Sequence, residues 1–220
     1  MPEAAPSRHL AACAAVVFIV YTPGEGAEAR GYEPWLRQID NPFFNAIPGV
    51  HHYANWKIVE VLSGAAPSWT HFDFQGLTAP EVLHDVWFNR DLDAFRSEWI
   101  RLWGYGAGAP PPVQRNAYLM QRDRPPIGAP QPLARLTGGR GAPPPAADLV
   151  WRVTDTLRKH FATGAAGAAW RVPAAEDNPL GLDWLALRYG AGPPAGEPDG
   201  GAAASLDVLV RCIAAPPDSS

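Results

Sequence analysis

Residues 50–75 read VHHYANWKIVEVLSGAAPSWTHFDFQ, and the fold turns on how this stretch is folded back on itself. Val50–Leu62 and Ser68–Gln75 are rich in β-branched and aromatic residues, and Ser63–Pro67 between them is turn-forming, which predicts a β-hairpin. A strand alternates its side chains with a period of two. Ala54, Trp56 and Ile58 therefore share one face, as do Phe72 and Phe74 opposite them. The other face carries His51, Tyr53, Asn55 and Lys57 on one strand, and Trp69, His71, Asp73 and Gln75 on the other. A five-residue loop pairs Leu62 with Ser68, which sets Lys57 against Asp73 and Asn55 against Gln75. On this reading the apolar face lies under helices and the polar face lines an interior cavity.

Working outward, the apolar run Ala11–Tyr21 ends in VVFIVY and reads as a buried first strand. At 11 residues it is well short of the ~20 that a membrane-spanning helix needs. Tyr32, Trp35, Leu36 and Ile39 fall at helical spacing, so a helix is expected from Tyr32 to Asp40, stopped by Pro42 and then Pro48-Gly49. Thr78 and Glu81 form a capping-box pattern ahead of a long helical region that ends at Trp103-Gly104. Asn116–Arg122 reads as a fourth strand. The order βαββαβ is that of a ferredoxin-like split unit.

Seventeen of the 25 prolines lie after Tyr105, so the second half is a set of elements strung between Pro/Gly-rich connectors. Leu133–Thr137 is expected as a short edge strand. Val150, Val153, Leu157 and Phe161 are expected along one helix face. Further strands are expected at Ala168–Val172, Trp184–Tyr189 and Leu206–Ile213. The chain divides at about residue 124 into a first unit, 1–124, and a degenerate second unit, 125–220. The fold class expected is α+β, with ferredoxin-like split βαββαβ units forming a dimeric α/β-barrel, closed either within one chain by the degenerate second unit or, the favoured reading, by the first units of two chains.

Composition narrows function without naming it. Apolar residues make up 47% of the 220 and aromatic residues 10%, enough for a packed core. A formal net charge of −4 argues against nucleic acid as a partner, and no segment calls for a membrane. Cys13 and Cys212 are too few and too far apart for a disulfide framework or a zinc cluster. A cytoplasmic location is expected.

Three blocks carry a family resemblance. They are NPFFNAIPGVHHYANWKIVE (Asn41–Glu60), WTHFDFQG (Trp69–Gly76) and VWFNRDLDAFRSEWIRLWG (Val86–Gly104). In this order they resemble the RedY/HapK-like family of the dimeric α/β-barrel superfamily, over roughly Val16–Arg122. The resemblance implies a homodimer, a cofactor-free protein, and a role beside prodiginine-type or bisindole biosynthetic genes. Its substrate would be an aromatic small-molecule biosynthetic intermediate, an indole- or pyrrole-derived imine or enamine. The chemistry would be proton transfer with rearrangement, cyclisation or hydrolysis.

The residues themselves suggest how. His71 and Asp73 lie two apart on one strand face, and an imidazole titrates near neutrality, at about 6.5. His71 is therefore the expected proton shuttle, with Asp73 stabilising an iminium cation and Lys57 keeping it ionised. His51 completes the catalytic set. Tyr53, Asn55, Lys57 and Trp69 form the substrate-binding lining, Trp69 offering a face for an indole. His51, His71 and Asp73 could instead converge on a metal, but no tight spacing motif supports this, and no metal or cofactor is expected. Competing readings are a solvated sheet face, a binding protein for a reactive intermediate, a partner-enzyme scaffold, and a cofactor-free or haem-using oxygenase of the same superfamily. If His71 and Asp73 do not act, Arg171, Arg188 and Tyr189 are the next candidates.

Overall fold

A computed structural model describes residues 10–13, 15–104, 116–123, 125, 130–143, 147–157, 180–190 and 205–216. Its strands are β1 (Ala15–Tyr21), β2 (Val50–Ser63), β3 (His71–Leu77), β4 (Asn116–Arg122), β5 (Leu133–Gly139), β6 (Leu149–Thr156), β7 (Trp184–Tyr189) and β8 (Leu206–Ala214). They close into one antiparallel barrel in the order β1-β3-β2-β8-β5-β7-β6-β4. Each half of the chain supplies four neighbouring strands, β4-β1-β3-β2 and β8-β5-β7-β6, and the halves meet at the β2–β8 and β4–β6 seams.

This corrects the expected α+β class of ferredoxin-like units assembled as a dimeric α/β-barrel. The molecule is a closed eight-stranded antiparallel β-barrel with short helices, and one chain completes the ring by hydrogen bonding. Closure therefore calls for no second copy. The physical reason lies in the second half. Its expected helix over Val150–Phe161 is strand β6, with Leu149 and Trp151 turned into the barrel and Val150 turned out. Leu133–Thr137, expected at an edge, belongs to β5, which is paired on both sides, with β7 and with β8. The strand expected at Ala168–Val172 and the residue Phe161 lie outside the described residues.

Alternation explains the packing. Val16, Phe18 and Val20 of β1, Ala54 and Trp56 of β2, and Phe72 and Phe74 of β3 point into the barrel. There they meet Tyr118, Met120, Leu136, Trp151, Leu185, Leu187, Val208 and Val210 from the other strands. An eight-stranded barrel is just wide enough for side chains to fill it. Phe18 packs at 5.5 Å against both Phe72 and Phe74, and Phe74 reaches Trp151 of the other half at 5.1 Å. The interior is a core.

The opposite face of β1–β3 is covered by helices. Tyr32–Trp35 (α1) runs through a π-helical turn, Leu36–Asp40, into Asn41–Ala46 (α2), so the chain stays helical past Pro42. Leu83–Trp87 (α3) and Arg90–Trp103 (α4) follow. The Thr78 capping box does not form: the Thr78 hydroxyl bonds the Gly49 carbonyl, and α4 is capped by Asn89, whose side chain accepts from the Asp91 N–H at 2.9 Å. Tyr32, Leu36, Leu83, Val86, Leu92, Trp99 and Trp103 pack against Val17, Ile19, Tyr21 and Tyr53 in a second apolar layer. No helix among the described residues is long and apolar enough to cross a membrane.

Candidate functional site

The hairpin forms, with two corrections. Its connection is longer than five residues, so Lys57 stands opposite His71, Asn55 opposite Asp73 and Tyr53 opposite Gln75. Residues sharing a face still share it, because the offset is two. The faces themselves are reversed. Trp56, Phe72 and Phe74 fill the barrel, while Tyr53, Asn55, His71 and Asp73 lie on its outer surface beneath the helices. Burial there is nearly complete: His71 is 1% exposed, Asp73 4% and Asn55 0%.

A buried carboxylate needs donors, and Asp73 has them from two neighbouring strands. Tyr21 of β1 donates to Oδ1 at 3.1 Å, Tyr53 of β2 donates to Oδ2 at 2.8 Å, and Asn55 Nδ2 donates to Oδ1 at 2.9 Å. Burial first, and then Asp73, hold the Tyr21 phenol well above its ordinary range, so it stays a donor. Asn55 Nδ2 also reaches Asp40 Oδ2 at 2.8 Å, and Asn41 Nδ2 donates to Asn55 Oδ1 at 3.1 Å and to the Tyr53 carbonyl at 2.9 Å. Two carboxylates are thus bridged by one amide.

Asp40 and Asn41 were not foreseen. Tyr32, Leu36 and Asp40 recur every four residues, and all three are buried, whereas Ile39 is 49% exposed. The π-turn explains the exchange: its wider i→i+5 winding delays the inward position by one residue, from Ile39 to Asp40.

His71 occupies the rim of this cluster. Its Nδ1 lies 2.9 Å from Thr70 Oγ1, and its ring stacks on Tyr21 at 5.9 Å and meets Tyr32 edge-on at 5.5 Å. Nε2 is 3.3 Å from Glu28 Oε1, within ion-pair range but without the alignment of a hydrogen bond. Burial dominates over Glu28 and pushes the imidazole down to about 4, so His71 is neutral at pH 7. The Thr70 hydroxyl can donate to Nδ1 or accept from it; when it accepts from Nδ1–H, the lone pair is on Nε2.

Lys57 does not pair with Asp73. It reaches Glu28 at 2.6 Å and Glu33 at 3.6 Å, and Glu33 is also held by Arg211 at 2.7 Å and Arg37 at 3.2 Å. These partners lower Glu33 against the opposing effect of its own burial. The charged rim ties the α1 segment to β2 and β8.

His51 is set apart. A bulge between Val50 and His52 takes it out of register, and it lies six positions along the strand from Lys57, the residue opposite His71. At ~3.3 Å per residue that is about 20 Å. His51 and His71 therefore cannot share a metal, and among the described residues no group of three or more His, Cys, Asp or Glu is placed to hold one. Trp69 is not on the polar face: it packs edge-on against Phe18 at 5.9 Å and Phe72 at 5.7 Å in the barrel core. Of the reserve candidates, Arg171 lies outside the described residues. Tyr189 packs towards the barrel interior, while Arg188 shares the outward face with Ala186.

Chemically the cluster joins a neutral imidazole at the rim to a buried carboxyl group that accepts hydrogen bonds from Tyr21, Tyr53 and Asn55. The first can take or give a proton, and the second can stabilise a cation. Compared with family models, curated proteins and solved structures, the chain matches none.

Proposed function

We propose that the protein is a cofactor-independent biosynthetic enzyme that moves protons on an indole- or pyrrole-derived imine or enamine, leading to rearrangement, cyclisation or hydrolysis. The observation that carries the reading is His71: a neutral imidazole two residues from a buried, triply hydrogen-bonded carboxylate, with Nε2 free of a hydrogen bond. The substrate class rests on the resemblance of the Asn41–Glu60, Trp69–Gly76 and Val86–Gly104 blocks to the RedY/HapK-like family.

In this mechanism His71 Nε2 takes the proton from carbon next to the C=N group and returns it elsewhere on the substrate. Asp73 offsets the iminium charge. Tyr53, Asn55 and Tyr21 fix the Asp73 carboxylate, and Lys57 at the rim orients Glu28. His51 takes no part, being at the far end of the hairpin. Because His71 is covered, substrate must displace the turn that carries Glu28.

The test is deuterium uptake from D2O at the carbon next to C=N, using the imine formed from indol-3-ylacetaldehyde and methylamine. Exchange faster than buffer is expected, falling by ~10²-fold or more in His71→Gln and Asp73→Asn variants that still melt cooperatively. Exchange no faster than buffer, or variants at the parent rate, contradicts the reading. The near-complete burial of His71 and Asp73 favours one rival, a non-catalytic binding protein. Saturable binding of the imine without exchange would establish that instead.

A further inference from the structure

The described residues also form an apolar cleft away from the His71 cluster. Where the chain passes from β2 to β3, a cleft of about 180 Å3 opens at the barrel mouth. Its walls include Ala66 and Pro67 of the connection and Ser205 ahead of β8, and its floor includes Trp69, Leu182 and Leu206. The floor residues are buried members of the barrel core, so the base of the cleft is the top layer of that core. Trp69 is wedged edge-on between Phe18 and Phe72, which fixes its ring.

No charged side chain lines the cleft among the described residues. The hydroxyl of Ser205 is turned to the Gly138 carbonyl at 3.3 Å. A charged ligand would lose hydration here and find no counter-charge among the described residues. The size suits one ring: an apolar cavity of about 150 Å3 is enough to hold benzene. Barrel mouths are also among the preferred positions for small-molecule sites.

We propose that this cleft binds a single uncharged aromatic ring, packed against the floor that Trp69, Leu182 and Leu206 form. The site is distinct from the His71 cluster, which lies on the outer face of the same strands, and the proposal does not depend on the enzymatic reading.

Indole is the probe, with indole-3-acetate as its charged counterpart. The reporter is the indole N–H signal of Trp69 in a 1H–15N spectrum, assigned by its loss in Trp69→Phe. That N–H is buried without a hydrogen-bond partner, so its shift answers to the ring's surroundings. Indole should bind saturably and move the Trp69 signal. Indole-3-acetate should bind about tenfold more weakly or worse. Ala66→Phe, at an exposed position outside every strand, should fill the cleft and weaken indole about tenfold or more. Ala65→Phe on the same wall serves if Ala66→Phe melts poorly. Absence of saturable binding, binding that survives both filling variants, or equal affinity for indole-3-acetate overturns the proposal.

Discussion

At the residue scale the account turns on how His71 and Asp73 are kept. The His71 imidazole is held near 4 in the folded chain and returns to about 6.5 on unfolding, so between these values the unfolded chain binds the extra proton. Its contribution to stability is complete above pH 6.5 and is lost as the pH falls towards 4. A shift of this size corresponds to roughly 3 kcal/mol. Denaturant unfolding from pH 7.5 to pH 4.5 should therefore show the parent losing more stability than His71→Gln; parallel curves would count against a buried neutral imidazole. Tyr53→Phe removes one donor from Asp73 Oδ2 and should cost about 1–3 kcal/mol. A cost near zero would mean that the carboxylate is solvated.

At the element scale, the β2–β3 hairpin and its two faces were legible, because a period of two needs only the residues themselves. Which face is inward was not. Trp56, Phe72 and Phe74 on one side and Tyr53 and His71 on the other are both compatible with burial. The choice is made by partners distant in sequence: Tyr21 and Asn55 satisfy Asp73, and Asp40 satisfies Asn55. The β6 strand was misread for a related reason. Val150, Val153 and Leu157 fit helical spacing while Leu149, Trp151 and Val153 fit strand spacing, and so short an apolar run satisfies both. One close approach within the sheet gives a further test. A methyl group on Gly76 of β3 would collide with Cys13 Sγ. Gly76→Ala should cost about 1–3 kcal/mol, and Cys13→Ala in the same chain should recover part of it. Additive losses in the double variant would place Cys13 elsewhere.

At the scale of the whole molecule, the barrel is filled by side chains from both halves, and this is what sends the polar row to the outside. Trp151, 1% exposed and in contact with Phe74 across the interior, is the clearest tie between the halves. Trp151→Ala should cost about 3–5 kcal/mol, read as a drop in melting temperature with one cooperative transition retained. That the two halves would each supply adjoining strands was partly legible in the element order. Closure within one chain could be named beside closure by two chains but not chosen, since the choice depends on the β2–β8 and β4–β6 seams, whose partners lie 29 or more residues apart. The second seam can be interrogated directly. Gln121 of β4 and Arg152 of β6 are exposed and face each other as Cα partners. With Cys13 and Cys212 changed to Ala, Gln121→Cys/Arg152→Cys should oxidise at low protein concentration to a disulfide within a single chain. Non-reducing gel electrophoresis should then show a monomer of altered mobility. A covalent dimer, or two thiols that stay reduced, would contradict a barrel closed by one chain.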